Sequence, residues 1–402
     1  MREALGEYCD IISGYAFKSS DLEDIGDVPV IKIGNINDGG NVIIDNTTQY
    51  VSNKFLSIDM KYHIHFDDIL ISLTGSHMNQ PNSMVGRSCR SYENTEFLLN
   101  QRAGKVICKD ITDSDYFYYL LNTKAVKESI VARAYGAANQ VNISPSDILK
   151  IKIEIHDEKR RKRIGEIISS YDKLIESKNK QISILEHMAE KIYEEWFVHF
   201  RYPGNETIKL VDDTPNGWKV ASINHDKRPI NWHYGMFSEL GRFVRGKNIT
   251  TADMIDGDVP VISAGIDPSG YHNVSNVQGK SLTISASGAN AGFLKYNLND
   301  IWAADCSYYQ NDMYFWFAYH TLHFLQPVIM NLQNGSAQPH VYPKHINGLT
   351  ILIPTKDIIL HFCEIIKPIY EEIKELQSSS RNLLIQRNLL LPRLMNSKLA
   401  VK

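Results

Sequence analysis

The sequence predicts an α+β protein in which two similar α/β domains are joined by two long antiparallel coiled-coil helices in a pseudo-two-fold arrangement. The first observation is an internal duplication within the 402 residues. A shift of 198 or 199 positions aligns residues 118–119 with 317–318 and residues 136–140 with 335–339. The hexapeptide Gly-Asp-Val-Pro-Val-Ile also occurs twice, at 26–31 and at 257–262. The second observation is a seven-residue apolar repeat at the end of each half. A duplicated module predicts two structural copies.

The first predicted domain comprises residues 1–155 and the second comprises residues 201–353. Both are rich in turn-forming and aromatic residues, and both contain short apolar runs typical of β-strands. Each also has an aromatic-rich stretch that predicts a helix, at 114–135 and at 311–334. This mixture favours a compact sheet from which loops protrude. The predicted strands are Val28–Ile33, Ile69–Leu73, Gly104–Cys108 and Ile151–Ile155 in the first domain, and Val259–Ile262, Leu282–Ser285 and Leu349–Ile353 in the second.

Two long helices are predicted at residues 156–200 and 354–402. Their apolar residues recur at alternating spacings of four and three, which is typical of a coiled-coil seam. A helix of about 40 residues is about 60 Å long and cannot bury such a seam alone, so the two helices are expected to pack together. The residues predicted to pair them are Ile164, Ile168, Tyr171, Ile175, Ile182, Leu185, Ile192, Trp196, Phe362, Ile366, Ile369, Ile373, Leu376, Leu383 and Leu390.

Polar residues interrupt this seam at Lys178, Ser380 and Arg387. Polar residues inside a seam commonly fix the register and the number of partners. A Pro-Gly pair at 203–204 is predicted to end the first helix. Pro368 predicts a kink in the second helix or a late start of it, because proline cannot donate a backbone hydrogen bond.

The composition is that of a globular protein, with 43% hydrophobic and 22% charged residues. No apolar run approaches the roughly 20 residues of a membrane helix, and the N-terminus lacks the pattern of a signal peptide, so a cytoplasmic location is expected. The five scattered cysteines are expected to be reduced thiols. A net charge of −3 means that binding to a polyanion would need a local positive field or a partner that supplies cations.

The sequence shows no catalytic motif, and no catalytic residue is predicted. Residues 241–247 spell Gly-x-x-x-x-Gly-Lys, but Asn248 stands where a phosphate-binding loop needs Ser or Thr, so a turn with exposed cations is expected. His63 and His65 would lie on the same side of a strand, but no third ligand accompanies them, and no metal site is predicted. A nucleophile elbow, a zinc-protease motif and a dinucleotide fingerprint are all missing.

Two pairs of polar loop segments are candidate nucleic-acid contacts: 72–80 with its counterpart 285–290, and 135–140 with its counterpart 334–340. Asn and Gln can bond adenine, Arg can bond guanine, and Ser or Thr can bond phosphate. The alternative is that these segments are ordinary polar turns. Their recurrence in both halves weighs toward binding. The candidate DNA-binding residues are Ser72, Thr74, Gly75, Ser76, His77, Asn79, Gln80, Arg87, Asn139, Gln140, Arg245, Lys247, Ser287, Asn290, Ser336, Gln338 and His340.

The order of these segments is the same in both halves. Each half opens with Leu-Gly, at 5–6 and at 240–241, proceeds to the repeated hexapeptide and the second polar loop, and ends in an Ile-rich strand and the long helix. In this order, and in the helix tails at 189–197 and 389–395, the chain resembles the DNA specificity (S) subunits of type I restriction–modification systems. The resemblance covers essentially the whole chain.

The resemblance implies that the two domains are target recognition domains, each recognising one half of a split double-stranded DNA site. It implies that the helices set the gap between the half-sites and dock two methyltransferase (M) subunits, in a complex that also contains restriction/translocase (R) subunits. S-adenosylmethionine, ATP and Mg²⁺ would then bind those partners, and this chain would hold no cofactor and catalyse no reaction.

Two other classes of function stay open at this point. A fused enzyme subunit would have its own nuclease or methyltransferase activity, against which the missing catalytic motifs speak. A coiled-coil interaction protein without a DNA role would show no salt-sensitive DNA binding, even together with a methyltransferase partner.

Overall fold

The structure is a computed structural model that describes residues 2–77, 80, 83–92, 95–137, 140–206, 209–212, 227–332, 340–396 and 399. The chain divides into two compact units. Unit 1 comprises Met1–Ser177 and Ser380–Lys402, and unit 2 comprises Lys178–Ser379. Each unit therefore contains one α/β module together with a segment of both long helices.

The module of unit 1 precedes the first long helix. Its strands are β1 (Arg2–Ala4), β2 (Cys9–Ser13), β3 (Val28–Ile31), β4 (Gln49–Val51), β5 (His63–Ile64), β6 (Ile69–Ser72), β7 (Thr74–Gly75), β8 (Ser88–Arg90), β9 (Phe97–Leu99), β10 (Ala103–Cys108), β11 (Tyr135–Ala137), β12 (Gln140–Asn142) and β13 (Lys152–Glu154). Its helices are α1 (Ser114–Leu121), α2 (Lys124–Val131) and α3 (Pro145–Leu149).

The core of unit 1 is an antiparallel sheet of four strands in the order β2-β10-β6-β8. Every residue of β6 is buried, which explains why this strand has a continuous apolar run instead of alternation. A second sheet has the order β4-β3-β9-β5, and the first copy of the hexapeptide supplies β3, which pairs in parallel with β9. Helix α1 is buried on all sides from Tyr116 to Leu121, as expected for a helix that is apolar all round.

The module of unit 2 lies between the two long helices. Its strands are β14 (Leu210–Val211), β15 (Arg228–Pro229), β16 (His233–Met236), β17 (Val244–Arg245), β18 (Val259–Ile262), β19 (Gly270–His272), β20 (Ser281–Ser285), β21 (Leu294–Asn297), β22 (Trp302–Ala303), β23 (Cys306–Tyr309) and β24 (Thr350–Ile353). Its helices are α5 (Phe315–Phe324), α6 (Gln326–Met330) and α7 (Pro343–Asn347).

The sheets of unit 2 repeat the topology of unit 1. The four-stranded antiparallel sheet has the order β17-β23-β20-β21, which matches β2-β10-β6-β8 strand by strand. The second copy of the hexapeptide supplies β18, which again has an antiparallel neighbour, β19, and a parallel one, β22. The pair β16–β24 corresponds to β1–β13. The internal duplication in the sequence is therefore a duplication of fold.

The long helices are α4 (Glu158–Tyr193), which continues into a π-helical turn at Glu194–Val198, and α8 (Lys356–Met395). In unit 1, Ile164 and Ile168 share a core cluster with Leu394. In unit 2, the rings of Trp196 and Phe362 are 5.9 Å apart. Within unit 1, Asp172 lies later on α4 than Ile168 and pairs with Arg387, which lies earlier on α8 than Leu394, so the paired segments run antiparallel.

The strands follow the sequence-based predictions more closely than the module helices do. Each predicted apolar run contains a strand, with ends that differ by at most a few residues. By contrast, each aromatic-rich stretch forms two short helices instead of the single helix predicted. The first is broken at Thr123, whose backbone is extended. The second is broken where Pro327, near the start of α6, cannot donate a hydrogen bond back into α5.

The long helices also differ from the predictions at two points. The α-helical part of the first ends at Tyr193, earlier than the Pro-Gly pair, and Phe200 then has a positive φ of 57°. The second neither starts late nor stops at Pro368, since α8 begins twelve residues before it, at Lys356. Both Pro368 and Glu364, whose carbonyl loses its partner, are exposed, so water can satisfy that carbonyl.

Candidate nucleic-acid interface

The two polar loop segments predicted in each half are adjacent in the fold. In unit 1, β12 forms a hairpin with β11 and also pairs with β7, so that Asn142 lies opposite Thr74. In unit 2, Ser287 and His340 form the equivalent bridge. Segments about 60 residues apart in sequence therefore meet at one edge of each module. Asn79, Asn139, Ser336 and Gln338, all predicted contacts, lie outside the described residues.

Backbone hydrogen bonds establish which residues correspond between these edges. Leu73 N donates to Arg102 O at 2.9 Å, and Ala286 N donates to Asp305 O at 3.3 Å. Ile143 N donates to Leu73 O at 2.9 Å, as Val341 N donates to Ala286 O at 3.0 Å. Strand register adds one further equivalence, because Ser13 lies opposite Gly104 and Arg245 lies opposite Ser307.

Four positions follow from these equivalences, and we call them the four-position frame. Its members are Ser13, Thr74, Arg102 and Asn142 in unit 1, and Arg245, Ser287, Asp305 and His340 in unit 2. The backbone is arranged alike in both units, while the side chains differ at every position.

The frame of unit 1 borders an open cleft of about 380 Å³. Thr74 Oγ1 donates to Asn142 Oδ1 at 2.7 Å and so orients that amide. Arg102 is exposed and forms no ion pair with any residue that the structure describes. The cleft is lined by Ser13, Leu73, Thr74, Gln101, Arg102, Tyr135, Asn142, Ile143 and Pro145.

The frame of unit 2 is internally paired. Arg245 forms an ion pair with Asp305, and Ser287 Oγ donates to the same carboxylate. The side chain of Arg245 is nevertheless 39% exposed. The His340 ring is half-buried and stacks on Tyr342 at a centroid distance of 5.8 Å. The ion pair with Asp305 therefore restricts the Arg245 side chain, whereas no carboxylate among the described residues restricts that of Arg102.

Several predicted residues of the first loop are buried and bond within the loop. Ser72 is buried, and its Oγ donates to Met84 O at 3.3 Å. Ser76 is buried as well, and its Oγ donates to Gln80 O at 2.8 Å. A Cβ on Gly75 would lie 2.4 Å from Ser83 O, so only glycine fits there. The Ser72 and Ser76 side chains therefore shape the loop and do not face solvent.

The remaining predicted residues vary in accessibility. Arg87 is half-buried, and its Nη2 donates to Ile33 O at 2.8 Å. Burial lowers the pKa of the Arg87 guanidinium below its ordinary value. His77 and Asn290 are half-buried, whereas the exposed residues are Gln80, Gln140 and Lys247.

The sequence-based list omitted part of the frame and of the cleft. Ser13, Arg102 and Asn142 in unit 1 and Asp305 in unit 2 were missed, as were Gln101 and the largely exposed Tyr135. A polar Gln-Arg pair between two apolar strands was the available signal for Arg102. The alignment at one fixed offset could not reveal that Asp305 is its counterpart.

The residues predicted to pair the helices all lie at buried or half-buried positions of α4, α8 or the π-helical turn. Those with the lowest exposure are Ile164, Ile168, Phe362, Ile366 and Ile373. Of the polar interruptions, Arg387 forms an ion pair of 2.5 Å with Asp172, whose other oxygen accepts from Tyr119 at 2.6 Å.

The two histidines that the sequence places on one strand, His63 and His65, have different surroundings. His63 is buried, with Nδ1 2.5 Å from a Glu96 carboxylate oxygen and Nε2 3.2 Å from Ile58 O, so both ring nitrogens have partners. His65 is exposed. Within the described ranges, no cluster of three or more His, Cys, Asp or Glu residues could hold a metal ion. None of the described helices has the length and apolar character to cross a membrane.

Comparison with known proteins identifies the family. Residues 3–187 and 229–381 match the profile of the type I restriction modification DNA specificity domain. The chain belongs to this family. The first range begins in β1, the second begins in β15, and both end inside a long helix, so the profile matches once for each module. Proteins of this family provide the DNA specificity of a type I restriction–modification system.

Individual proteins that are similar to this chain are also type I specificity subunits. The MjaIX specificity subunit of Methanocaldococcus jannaschii is 25% identical over 325 residues, which cover 75% of this chain and 73% of that protein. The MjaVIII specificity subunit of the same organism is 28% identical over 193 residues, covering 47% and 43%. The crystal structure of a type I S subunit from Mycoplasma genitalium superposes with a TM-score of 0.58 at 16% identity, covering 98% and 95%, and so has the same fold.

Proposed function

We propose that this DNA specificity subunit recognises a bipartite double-stranded DNA site, with one half-site recognised by each unit. The observation that carries the proposal is the four-position frame, which has one backbone arrangement in both units but different side chains at each position. Base-edge contacts carry sequence information, while a shared backbone carries none. Two frames with the same backbone arrangement and different side chains fit a DNA site whose two half-sites differ in base sequence.

The partners that we propose are two methyltransferase subunits, joined in the full complex by restriction/translocase subunits. Exposed apolar side chains on the long helices support docking there, since such residues away from the seam have no role in pairing α4 with α8. They are Leu174, Ile184 and Met188 on α4, and Ile365, Leu384, Ile385 and Leu389 on α8.

In this proposal the chain itself catalyses no reaction, and it acts in the cytoplasm. S-adenosylmethionine, ATP and Mg²⁺ bind the partner subunits. The net charge of −3 supports a shared interface, because phosphate neutralisation by Lys and Arg dominates affinity for DNA and the partners can supply those cations.

Mapping of methylated adenines across a genome tests the proposal. The methyltransferase subunits are expressed in the same host with and without this chain. The expected map has one motif made of two half-sites at a fixed gap, and the motif disappears without the chain. Methylation of a single continuous motif, or a map that does not depend on the chain, would contradict the proposal. Methyl transfer or DNA cleavage by the purified chain alone would favour the fused enzyme instead.

A further inference from the structure

The four-position frame contains one arginine in each unit, but at different positions. In unit 1 it is Arg102, in the turn immediately before β10, while the β2 position is Ser13. In unit 2 it is Arg245, on β17, while the counterpart of Arg102 is Asp305. The backbones of the two frames are equivalent, but the arginine of unit 1 precedes β10, whereas that of unit 2 lies on β17, the counterpart of the neighbouring strand β2.

We propose that the frame is the base-contacting site of each unit and that its arginine donates to a guanine of that unit's half-site. This inference rests on the proposed function. Arginine is the side chain that bonds both guanine acceptors, O6 and N7, in the major groove. In unit 1 the neighbouring Asn142 amide, oriented by Thr74, supplies a second base-bonding group.

Accessibility supports this role for Arg102. Its side chain is exposed at the rim of the 380 Å³ cleft, and no carboxylate among the described residues neutralises it. An arginine with no intramolecular ion pair loses no such partner when it binds an acceptor on DNA. By contrast, Arg90 on β8 is fully buried between Asp67 and Asp115 and lies over the Tyr118 ring, so it supports the core.

The ion pair in unit 2 supports the same role for Arg245. A carboxylate facing DNA is repelled by phosphate, but Asp305 is neutralised by Arg245 and also accepts from Ser287. Nη2 of the guanidinium is thereby bonded to Asp305, which leaves its other donors for an acceptor on DNA. Ser13 lies opposite Gly104, two residues beyond Arg102, so the two arginine positions differ by about 7 Å along the strand.

The variants Arg102→Gln and Arg245→Gln test the inference in the assembled methyltransferase complex. Each is expected to reduce the preference for guanine at one position about 10-fold or more, because a bidentate contact is lost. Arg102→Gln should alter one half-site and Arg245→Gln the other, with the gap unchanged. The unaltered half-site shows that the complex has folded and assembled.

Two further variants sharpen the test. Asp305→Asn keeps the side-chain shape but removes the charge that holds Arg245, so it should relax the unit 2 half-site alone. Arg2→Gln is the matched control, because Arg2 is an exposed arginine of unit 1 that does not line the cleft. It should leave both half-sites unchanged.

Three outcomes would overturn the inference. Unchanged half-sites in both arginine variants would exclude base contact, as would uniformly weaker methylation with the same base preferences, which indicates a phosphate contact. A wild-type map without two half-sites would overturn the inference and the proposed function together. A wild-type map with two half-sites separates the two, since the function then stands whatever the variants do.

Discussion

At the scale of single residues, the ion pair between Asp172 and Arg387 gives a polar seam position a structural role. Arg387 interrupts the apolar repeat of α8, and the sequence alone offers it no partner. In unit 1 its partner is Asp172 on α4, only 10% exposed, which also accepts from Tyr119. A charged pair with one geometry between two helices favours a single register, whereas apolar contacts tolerate sliding.

Removal of Asp172 should therefore destabilise unit 1. We expect Asp172→Ala to lower the free energy of unfolding by about 3 kcal/mol, because Arg387 and the Tyr119 hydroxyl both lose their partner. The double variant Asp172→Ala with Arg387→Met should be more stable than the single one, since the orphaned charge is gone. Chemical denaturation of the full chain measures both.

The matched control for this pair is Arg163→Ala on the same helix. Arg163 pairs with Glu166, but both side chains are more than half exposed, at 53% and 65%. An exposed pair of this kind contributes little to stability, so a loss within about 0.5 kcal/mol is expected. If Asp172→Ala costs no more than this control, the pair does not fix the helices.

The buried histidine of unit 2 predicts a dependence of stability on pH. His320 is 1% exposed, its Nε2 lies 3.3 Å from the Tyr370 hydroxyl, and burial lowers its pKa to about 3. The unfolded chain binds this proton at about pH 6.5. Stability should therefore be complete above pH 6.5 and fall as the pH drops from 6.5 toward 3, because only the unfolded state is protonated there.

The variant His320→Phe removes this proton linkage. Relative to wild type, its free energy of unfolding should rise by about 2 kcal/mol between pH 7 and pH 5, whatever its offset at pH 7. The variant His361→Phe, which replaces an exposed histidine of the same unit, is the control. Parallel stability curves for wild type and His320→Phe across this pH range would contradict the assignment.

At the scale of elements, the helices α4 and α8 cross from one unit to the other at short polar stretches. The boundaries fall between Ser177 and Lys178 on α4 and between Ser379 and Ser380 on α8. The interruptions Lys178 and Ser380 of the seam are thus located at the boundaries. The apolar residues before and after them belong to different cores, one in each unit.

An insertion at this boundary should change the gap between half-sites and leave their identities alone. Four extra residues between Lys178 and Lys180 lengthen α4 by about 6 Å, close to one helical turn, so the seam resumes on nearly the same face. At about 3.4 Å per base pair, a gap longer by about two base pairs is expected. Methylation mapping measures the gap and both half-sites together.

The substitution Lys178→Ala, without any insertion, controls for the change of local sequence and should keep the gap. A second variant with a matching insertion between Ser379 and Ser380 keeps the antiparallel pairing in step. Changed half-sites with an unchanged gap would contradict the spacer role of these helices.

Some of these helices and strands could be predicted from the sequence, and others could not. The buried strand β6 was predictable because both of its faces are covered, which leaves a continuous apolar run. The break between α1 and α2 was not, since α1 is apolar all round and its end depends on one extended residue, Thr123. The late helix start predicted from Pro368 does not occur, because packing of α8 on both sides of the proline outweighs the free-energy cost of the lost hydrogen bond.

The candidate site was predictable at the level of loops but not of residues. Small polar residues after strands marked the segments around Thr74 and Gln140 as candidates, but only the structure shows that the two segments are neighbours. Arg102 and Asp305 escaped because their equivalence is a matter of hydrogen-bond register between strands, and their side chains are unlike. Register depends on pairings between residues far apart in sequence, which a pattern of local polarity does not contain.

At the scale of the whole molecule, the duplication makes the modules exchangeable in principle. The strand pair that closes each module has the same register: Leu5 N donates to Ile151 O as Phe237 N donates to Leu349 O. A module could therefore be replaced between β1 and β13, or between β16 and β24, without disturbing the backbone at either junction. The helix contacts are also equivalent, since Ile164 and Ile168 align with Phe362 and Ile366.

A chimera with two unit 1 modules should therefore recognise the unit 1 half-site twice. In this chimera, residues 2–154 replace residues 234–352, and Phe362→Ile restores the contact that Ile164 makes in unit 1. Methylation mapping of the chimera with the same methyltransferase subunits reads out both half-sites and their gap.

Carrying Arg102→Gln in only the second copy of the chimera provides its control. One half-site should then lose its guanine preference while the other keeps it, which assigns each module to its own half-site. A chimera that assembles with the methyltransferase subunits yet still recognises two different half-sites would contradict modular recognition. Base specificity would then depend on more than the module, and the helices or the partner subunits would have to contribute contacts to bases.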